Sequence, residues 1–237
     1  MTGPQPEGRS APSEAESAAL RQRRTTKGER YVPAAGHRAL TRFYDPVMAA
    51  TMRERTFRRA LVRAAVVPGP SVVLDVGCGT GSQAIALADA APHATIIGID
   101  GDPEALARAR SRGAGRSITW VEALADELPI EDDAVDCVTA SLLLHHLSPL
   151  TRLAALRELR RVLRPGSRLH IADWGRPQDP AMHLAFQAIR LLDGRENTAD
   201  HAAGRIPQII RAAGFSDTWV THRLRTVLGT LEILEAT

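Results

Sequence analysis

Short apolar runs alternate with amphipathic stretches through the middle of this chain. Runs rich in valine, isoleucine and leucine predict strands at 71–76, 94–99, 117–121, 135–141 and 167–173. Helical periodicity predicts helices between them, near 81–90, 103–112 and 149–163. Because short buried strands that alternate with helices form parallel sheets covered on both faces, the pattern predicts an α/β fold.

The flanking segments have a different pattern. Asp45-Pro46 predicts a helix start, with Asp as the N-cap and Pro at the first helical position, and an apolar stripe continues to Val66. Residues 180–193 and 205–213 predict helices, and two strands follow at 215–222 and 225–235. Since no crossover separates these two strands, we expect a hairpin that places an antiparallel strand in the sheet. The apolar residues of 180–193 suit either a lid over a substrate or a core helix; they are Met182, Leu184, Phe186, Ile189 and Leu192.

Composition limits the organisation and the surroundings of the chain. Its 237 residues suit one domain with a tail, and only two cysteines occur, which argues against a disulfide framework and favours a cytoplasmic protein. No apolar run is long enough to predict a transmembrane helix or a secretory signal. Residues 1–30 are polar and predict a disordered tail, with a partner-docking helix at 13–24 as the alternative.

Charge gives little support for a polyanionic partner. The isoelectric point of about 9.4 accompanies a net charge of only +3, because arginine supplies almost all of the positive charge. Residues 1–30 carry six basic and four acidic side chains, so they hold +2 of that charge. A nucleic-acid partner is therefore not expected, whereas a homodimer is compatible with the sequence.

Three glycines at alternate positions follow the first predicted strand, in Leu74-Asp75-Val76-Gly77-Cys78-Gly79-Thr80-Gly81. Such a turn lets the backbone approach a ligand, and Asp100, at the end of the second strand, can accept both hydroxyls of a ribose. Gly79, Gly81 and Ala84 also complete a dinucleotide fingerprint. Asp75 argues against a dinucleotide, because its carboxylate would repel a pyrophosphate but could orient a cationic amino-acid moiety.

With these residues the sequence resembles the class I S-adenosylmethionine-dependent methyltransferases, most closely the subgroup related to the ubiquinone/menaquinone-biosynthesis C-methyltransferases. The resemblance also includes Leu128-Pro129, Ala134-Val135-Asp136 and Arg161-Val162-Leu163-Arg164-Pro165-Gly166. It implies a Rossmann-like, doubly wound α/β fold with a mostly parallel seven-stranded sheet, an antiparallel last strand and N-terminal lid helices. The implied domains are lid helices at 31–70 and a methyltransferase domain at 71–237, with substrate-cap helices within 174–214.

The resemblance also implies which residues bind S-adenosylmethionine and release S-adenosylhomocysteine. The glycine turn would surround the methionine and ribose, Asp75 would lie near the ammonium group, and Asp100 would hold the ribose. Leu124 stands where many relatives have an aspartate that bonds the adenine amino group, so Glu122 or the backbone would make that contact. The complete predicted set is Tyr44, Arg53, Asp75, Gly77, Cys78, Gly79, Gly81, Asp100, Gly101, Asp102, Glu122, Ala123, Leu124 and Ser141.

Candidates for catalysis follow the fourth and fifth strands. His146, His145 and Asp173 lie where strand ends face the cofactor crevice, and histidine titrates near neutrality. Each also has a structural interpretation, as a backbone-bonded or loop residue. No metal site is expected, because no acidic or cysteine partner stands at ligand spacing from the histidines. The expected acceptor is a small, fairly apolar metabolite; an NAD(P)-dependent oxidoreductase, a non-catalytic S-adenosylmethionine-binding protein and an RNA-modifying enzyme are the alternatives.

Overall fold

The computed structural model of the protein describes residues 54–67 and 69–237. The helices are α1 Glu54–Ala65, α2 Ser82–Ala90, α3 Pro103–Arg112, α4 Pro149–Val162, α5 Pro180–Leu192, α6 Ala199–Ala203 and α7 Ile206–Ala212, with a 3₁₀ turn at Leu144–His146. The strands are β1 Val72–Val76, β2 Thr95–Asp100, β3 Ile118–Glu122, β4 Val135–Ser141, β5 Leu163–Trp174, β6 Thr218–Arg225 and β7 Thr230–Ala236.

The strands form one seven-stranded sheet in the order β3-β2-β1-β4-β5-β7-β6. Strands β1 to β5 run parallel to one another, and β7 runs antiparallel to both β5 and β6. The predicted doubly wound sheet with an antiparallel last strand is therefore confirmed. Because the strand order reverses between β1 and β4, the carboxyl ends of these two strands border the crevice where this fold binds ligands.

The sheet is buried between helices on both faces. On one face, α4 and α7 contribute Leu156, Leu159 and Ile210 to the core. On the other, α1 and α2 pack on β1 through Ala65, Leu87 and neighbouring residues. A third apolar cluster joins α1 to α5 beside the end of β5; its buried members are Phe57, Leu61, Ala172, Trp174, Phe186, Ile189, Leu231 and Ile233.

Helix α5 differs from its predicted burial. Met182, Phe186 and Ile189 are buried, as a core-facing helix requires, whereas Leu184 and Leu192 are 75% and 57% exposed. The apolar residues of 180–193 therefore lie on two faces of the helix. Only the face with Met182, Phe186 and Ile189 packs against the core. The helical period places positions 182, 186 and 189 on one side and position 184 on another.

Several element boundaries differ from the sequence expectation. Strand β5 begins at Leu163 rather than at residue 167. Leu163 already pairs with Val135, and a register shift around Pro165-Gly166 separates this pair from the rest of the strand. The short helix α6 and the 3₁₀ turn carry too few residues for a periodic pattern, and neither was predicted. The helix start at Asp45-Pro46 and the tail at 1–30 lie outside the described residues. Within the described residues, no helix combines the length and apolarity that crossing a membrane requires.

Trp120 of β3 occupies a space that three glycines leave open. A Cβ atom at Gly98, its direct partner on β2, would lie 2.6 Å from two ring atoms of Trp120. A Cβ at Gly81 would lie 2.6 Å from the far end of the same ring, and one at Gly113 would lie 2.9 Å from it. The indole therefore couples the start of α2 to the β2–β3 edge of the sheet.

We expect Gly98→Ala to lower the free energy of unfolding by about 1–3 kcal/mol, the usual cost of overpacking a well-filled site. The added methyl group overlaps a rigid ring rather than the end of a flexible chain. Urea denaturation measures the change. In a Trp120→Leu background the same substitution should lower the free energy of unfolding clearly less. Equal losses in the two backgrounds would contradict the contact between position 98 and the indole.

Candidate functional site

The turn between β1 and α2 has an unusual backbone. Gly77, Gly79 and Gly81 adopt positive φ angles of 68°, 53° and 84°, which only glycine adopts without strain. The Cys78 amide donates to the Ile99 carbonyl on β2, at 2.9 Å. A Cβ at position 79 would meet nothing within 4 Å, so the outer side of this turn is open to a ligand. Burial raises the pKa of the Cys78 thiol, which keeps it neutral.

Asp100 connects the glycine turn to the end of β2. Its Oδ2 atom accepts from the Gly79 amide at 2.7 Å, and its Oδ1 atom accepts from the Asp102 amide at 2.8 Å. Burial raises the pKa of Asp100 above its usual range, although these amides oppose the shift. Because a carboxylate offers about four acceptor positions, these two bonds do not exhaust its capacity to accept from the hydroxyls of a ribose.

Asp75 is the fully buried charge of the site. Its Oδ1 atom accepts from the Thr139 hydroxyl on β4 at 2.8 Å, whereas its Oδ2 atom has no hydrogen-bond partner. Burial raises the pKa of Asp75 to about 7, and Thr139 and the Arg58 guanidinium lower it in part. An isolated buried carboxylate is costly unless a cation compensates it.

Arg58 of α1 lies beside Asp75 and Ser141, and the sequence interpretation did not include it. Its guanidinium lies 3.5 Å from Ser141 Oγ at the end of β4, and its Nε atom pairs with Glu54 at 2.6 Å. Arg53 and Tyr44 belong to the predicted cofactor set, but both lie outside the described residues. Neighbouring arginines along α1 make the choice ambiguous in the sequence, and only the position of the helix on the sheet selects Arg58.

The end of β3 completes this edge of the sheet. Glu122 pairs in register with Asp100, and the Ala123 amide donates to the Asp100 carbonyl at 3.1 Å. Glu122 is exposed and Leu124 is half-buried. Asp102 caps α3 by accepting from the Glu104 amide at 2.8 Å. The predicted cofactor residues that the structure describes thus lie at or just beyond the carboxyl ends of β1 to β4.

Asp173, at the end of β5, has no exposed surface and several hydrogen-bond donors. One oxygen accepts from the Leu144 amide at 2.7 Å, and the other accepts from the Trp174 amide and contacts His145 Nδ1, both at 2.7 Å. Burial alone would raise its pKa, but the positive charge and hydrogen bond of His145 hold the pKa of Asp173 well below its usual range. A carboxylate that already accepts these hydrogen bonds and has a lowered pKa is poorly suited to accept a proton from a substrate.

The two adjacent histidines have different environments. The His145 side chain is 4% exposed, and burial tends to lower its pKa, but the carboxylates of Asp173 and Asp193 raise it overall. The His146 side chain is 27% exposed, and both burial and the neighbouring His145 lower its pKa. The structure also brings Asp193 from the end of α5 to within 3.2 Å of His146 Nδ1. The fold therefore gives the histidine pair an acidic partner that the sequence spacing did not indicate.

A fully buried arginine supports the turn that carries the histidines. Arg152 of α4 donates to the carbonyls of Leu144 and Leu147, at 3.0 and 2.8 Å. On its other side it donates to the Asn197 carbonyl and pairs with Asp200 at 2.6 Å. It therefore fixes the 3₁₀ turn to the segment that begins α6.

Together these groups fit a nucleoside cofactor with a positively charged amino-acid part. The open side of the glycine turn, the acceptor positions of Asp100 and the unbonded Oδ2 atom of Asp75 lie around one crevice. Arg58 supplies a positive charge near Ser141, where a carboxylate can bind. A pyrophosphate fits less well, because it would lie beside the Asp75 carboxylate at the start of α2.

Comparison with known families points to one class of enzyme. A methyltransferase domain family matches residues 73–166. The ubiquinone/menaquinone biosynthesis C-methyltransferase UbiE of Desulfotalea psychrophila is 31% identical over 76% of this chain and 79% of its own length. The demethylmenaquinone methyltransferase of Thermus thermophilus is 35% identical over 55% of this chain and 60% of its own length.

Solved structures agree on the fold. A putative O-methyltransferase from Nostoc punctiforme superimposes with a TM-score of 0.66 at 20% identity, over 94% of this chain and 68% of that one. At this identity the similarity concerns the architecture alone. The sequence relatives and the geometry of the crevice carry the functional comparison.

Proposed function

Because the chain belongs to the class I S-adenosylmethionine-dependent methyltransferases, we propose that it methylates a small, fairly apolar metabolite at a carbon, oxygen or nitrogen atom. The observation that carries the proposal is the pair of carboxylates, Asp75 and Asp100, beside the open glycine turn. The relatives named for quinone biosynthesis make a demethylated quinol the first acceptor to test. A nucleic-acid acceptor is not expected, and a homodimer stays a prediction.

S-adenosylmethionine supplies a methyl group that its sulfonium already activates. The protein therefore has to align the acceptor, exclude water and, for a protonated acceptor, promote loss of its proton. Asp100 would bind the ribose, and the glycine turn would surround the adjoining part of the cofactor. Asp75 and Arg58 would match the charges of the amino-acid part. The apolar cluster that joins α1 to α5 would limit water beside the acceptor.

On the acceptor side, we assign the contact with the substrate to His146, since its side chain is the more exposed of the histidine pair. His145 and Asp173 are positioning residues in this proposal. Asp173 fixes the His145 ring through Nδ1 and holds the Leu144 amide, and these bonds set the course of the 3₁₀ turn. Cap helices within 174–214 and a lid at 31–70 stay predictions.

A screen for S-adenosylhomocysteine release across metabolite pools, with a demethylmenaquinol included, tests the proposal. Release with one acceptor supports it and excludes a non-catalytic binding protein. Calorimetry with S-adenosylmethionine and with NAD distinguishes the methyltransferase from the oxidoreductase alternative. Binding of NAD without binding of S-adenosylmethionine would overturn the proposal.

The affinity for S-adenosylmethionine should fall as the pH falls from 7.5 to 6. The pKa of Asp75 is raised to about 7 in the free protein, and a cationic ligand binds its ionised form more tightly. Between these pH values the ionised fraction decreases by about eightfold, which sets the upper limit of the effect. Calorimetry at several pH values measures it.

The matched control for this pH dependence is Asp75→Asn, which keeps the size and one acceptor but loses the titration. Its affinity should be lower than that of the wild type at pH 7.5 and should change little down to pH 6. The amino group of the free ligand titrates identically in both experiments, so its contribution cancels in the comparison. Equal slopes in the two proteins would argue against a role for Asp75.

A further inference from the structure

His145, His146 and Asp193 form a side-chain cluster whose geometry fits a metal ion. One nitrogen of each histidine and a carboxylate oxygen of Asp193 all lie within 4.8 Å of one another. His145 Nε2 is 3.7 Å from Asp193 Oδ2, and His146 Nδ1 is 3.2 Å from Asp193 Oδ1. Ligand atoms in a tetrahedral zinc site with bonds of about 2.1 Å lie about 3.4 Å apart, which is close to both distances.

The hydrogen bonding within the cluster leaves one buried carboxylate oxygen without a partner. Asp193 Oδ2 is buried and has no hydrogen-bond partner, in a side chain that is 2% exposed. His145 Nε2 lies 3.7 Å from this oxygen, which is too distant for a direct hydrogen bond. A buried carboxylate oxygen requires a positive charge beside it, and a cation bound between Asp193 and the two histidines supplies that charge.

The environment of His145 is typical of a metal ligand. Its Nδ1 atom lies 2.7 Å from Asp173 Oδ1, so a carboxylate fixes the ring and directs Nε2 towards Asp193. Histidine ligands usually donate their second ring N–H to a carboxylate in this way. Within the described residues, the ion-pair partners of Asp173 and Asp193 are all histidines, and Arg152 pairs instead with Asp200.

We propose that His145 Nε2, His146 Nδ1 and Asp193 bind a divalent transition-metal ion. Two imidazoles and one carboxylate suit zinc or cobalt(II) rather than calcium or magnesium, which prefer oxygen ligands. Three protein ligands leave a fourth position open for water or a hydroxyl oxygen. Solvent reaches the site from the side of His146, the most exposed of the three side chains.

The site also refines the proposed function, on which this part of the inference rests. The three ligands follow β4 and α5, next to Asp173 at the carboxyl end of β5, on the crevice side of the sheet. An ion there would bind a hydroxyl oxygen of the acceptor, and His146 would then act through the ion. The acceptor class favoured by such a site is a phenol or an enol, whose oxygen binds a metal more strongly once it is deprotonated.

Cobalt(II) and zinc binding by the full chain, after treatment with a chelator, tests the proposal without cofactor or acceptor. We expect one cobalt ion per chain with the intense visible bands of a four-coordinate site. His146→Ala and Asp193→Asn should each weaken binding by at least about tenfold. The control His183→Ala removes an exposed histidine of α5 and should leave the affinity unchanged.

X-ray absorption of the zinc-loaded wild type provides a readout that does not depend on the folding of a variant. A first shell of nitrogen and oxygen atoms with the outer-shell signal of two imidazoles supports the site. Absence of binding to the wild type, a sulfur ligand, or equal affinity in folded His146→Ala and Asp193→Asn proteins would overturn it. Since methyl transfer is not measured, a failure here leaves the proposed function intact, and the release screen can fail independently.

Discussion

Replacing Arg152 by methionine should lower the free energy of unfolding by about 3–5 kcal/mol. The guanidinium has no exposed surface, and its donors satisfy carbonyls of Leu144, Leu147 and Asn197 in addition to the Asp200 carboxylate. Methionine fills a similar volume, but it leaves three carbonyls and part of a carboxylate charge without these donors. Urea denaturation with linear extrapolation measures the loss.

Arg157→Met is the control for this substitution, because it removes the same charge from an exposed position of the same helix. We expect that variant to stay within about 0.5 kcal/mol of the wild type, as surface substitutions usually do. Arg152→Lys keeps the charge but offers fewer fixed donors, so its loss should be intermediate. If Arg152→Met were as stable as Arg157→Met, the contacts of Arg152 that join the 3₁₀ turn to α6 would contribute nothing to stability.

Asp100→Ala should weaken the binding of S-adenosylmethionine by about 1–3 kcal/mol, or roughly 5- to 150-fold in the dissociation constant. The carboxylate has acceptor positions left for a ribose after it has accepted the Gly79 and Asp102 amides. The substitution therefore removes ligand contacts and also releases the glycine turn. Calorimetry with S-adenosylhomocysteine measures the same site without turnover.

Asp89→Ala provides the matched control, since it removes an exposed carboxylate from α2 that pairs with Arg116 rather than with the turn. Its affinity should equal that of the wild type. Asp100→Asn separates the two roles of Asp100, because it keeps one acceptor for an amide of the turn but loses the charge. An unchanged dissociation constant in a folded Asp100→Ala protein would remove Asp100 from the site.

The motifs shared with the methyltransferases have two kinds of role. Asp75, Asp100 and the alternate glycines border the crevice. Others hold the fold: Arg161 donates to the Leu128 and Ile130 carbonyls and pairs with Glu158. Asp136 accepts from the Ser71 and Val72 amides and pairs with Arg164, which ties the start of β1 to β4 and β5. A family signature therefore does not identify site residues by itself.

Much of this protein follows from local sequence. The alternation of buried runs and periodic segments determines the parallel sheet, because each strand and helix must bury its own apolar residues. The C-terminal hairpin follows from two strands without a crossover. The glycine turn and the carboxylates at strand ends are also readable, since carboxyl ends of parallel strands meet at one edge of the sheet.

The tertiary structure decided what depends on contacts between distant segments. Arg58 could not be distinguished from the other arginines near it until α1 was placed against β4. Asp193 lies 47 positions beyond His146, and only the packing of α5 brings the two within 3.2 Å. The sequence pattern records which side chains leave water, whereas the partner of a buried charge depends on how whole helices pack, and no local period encodes that packing.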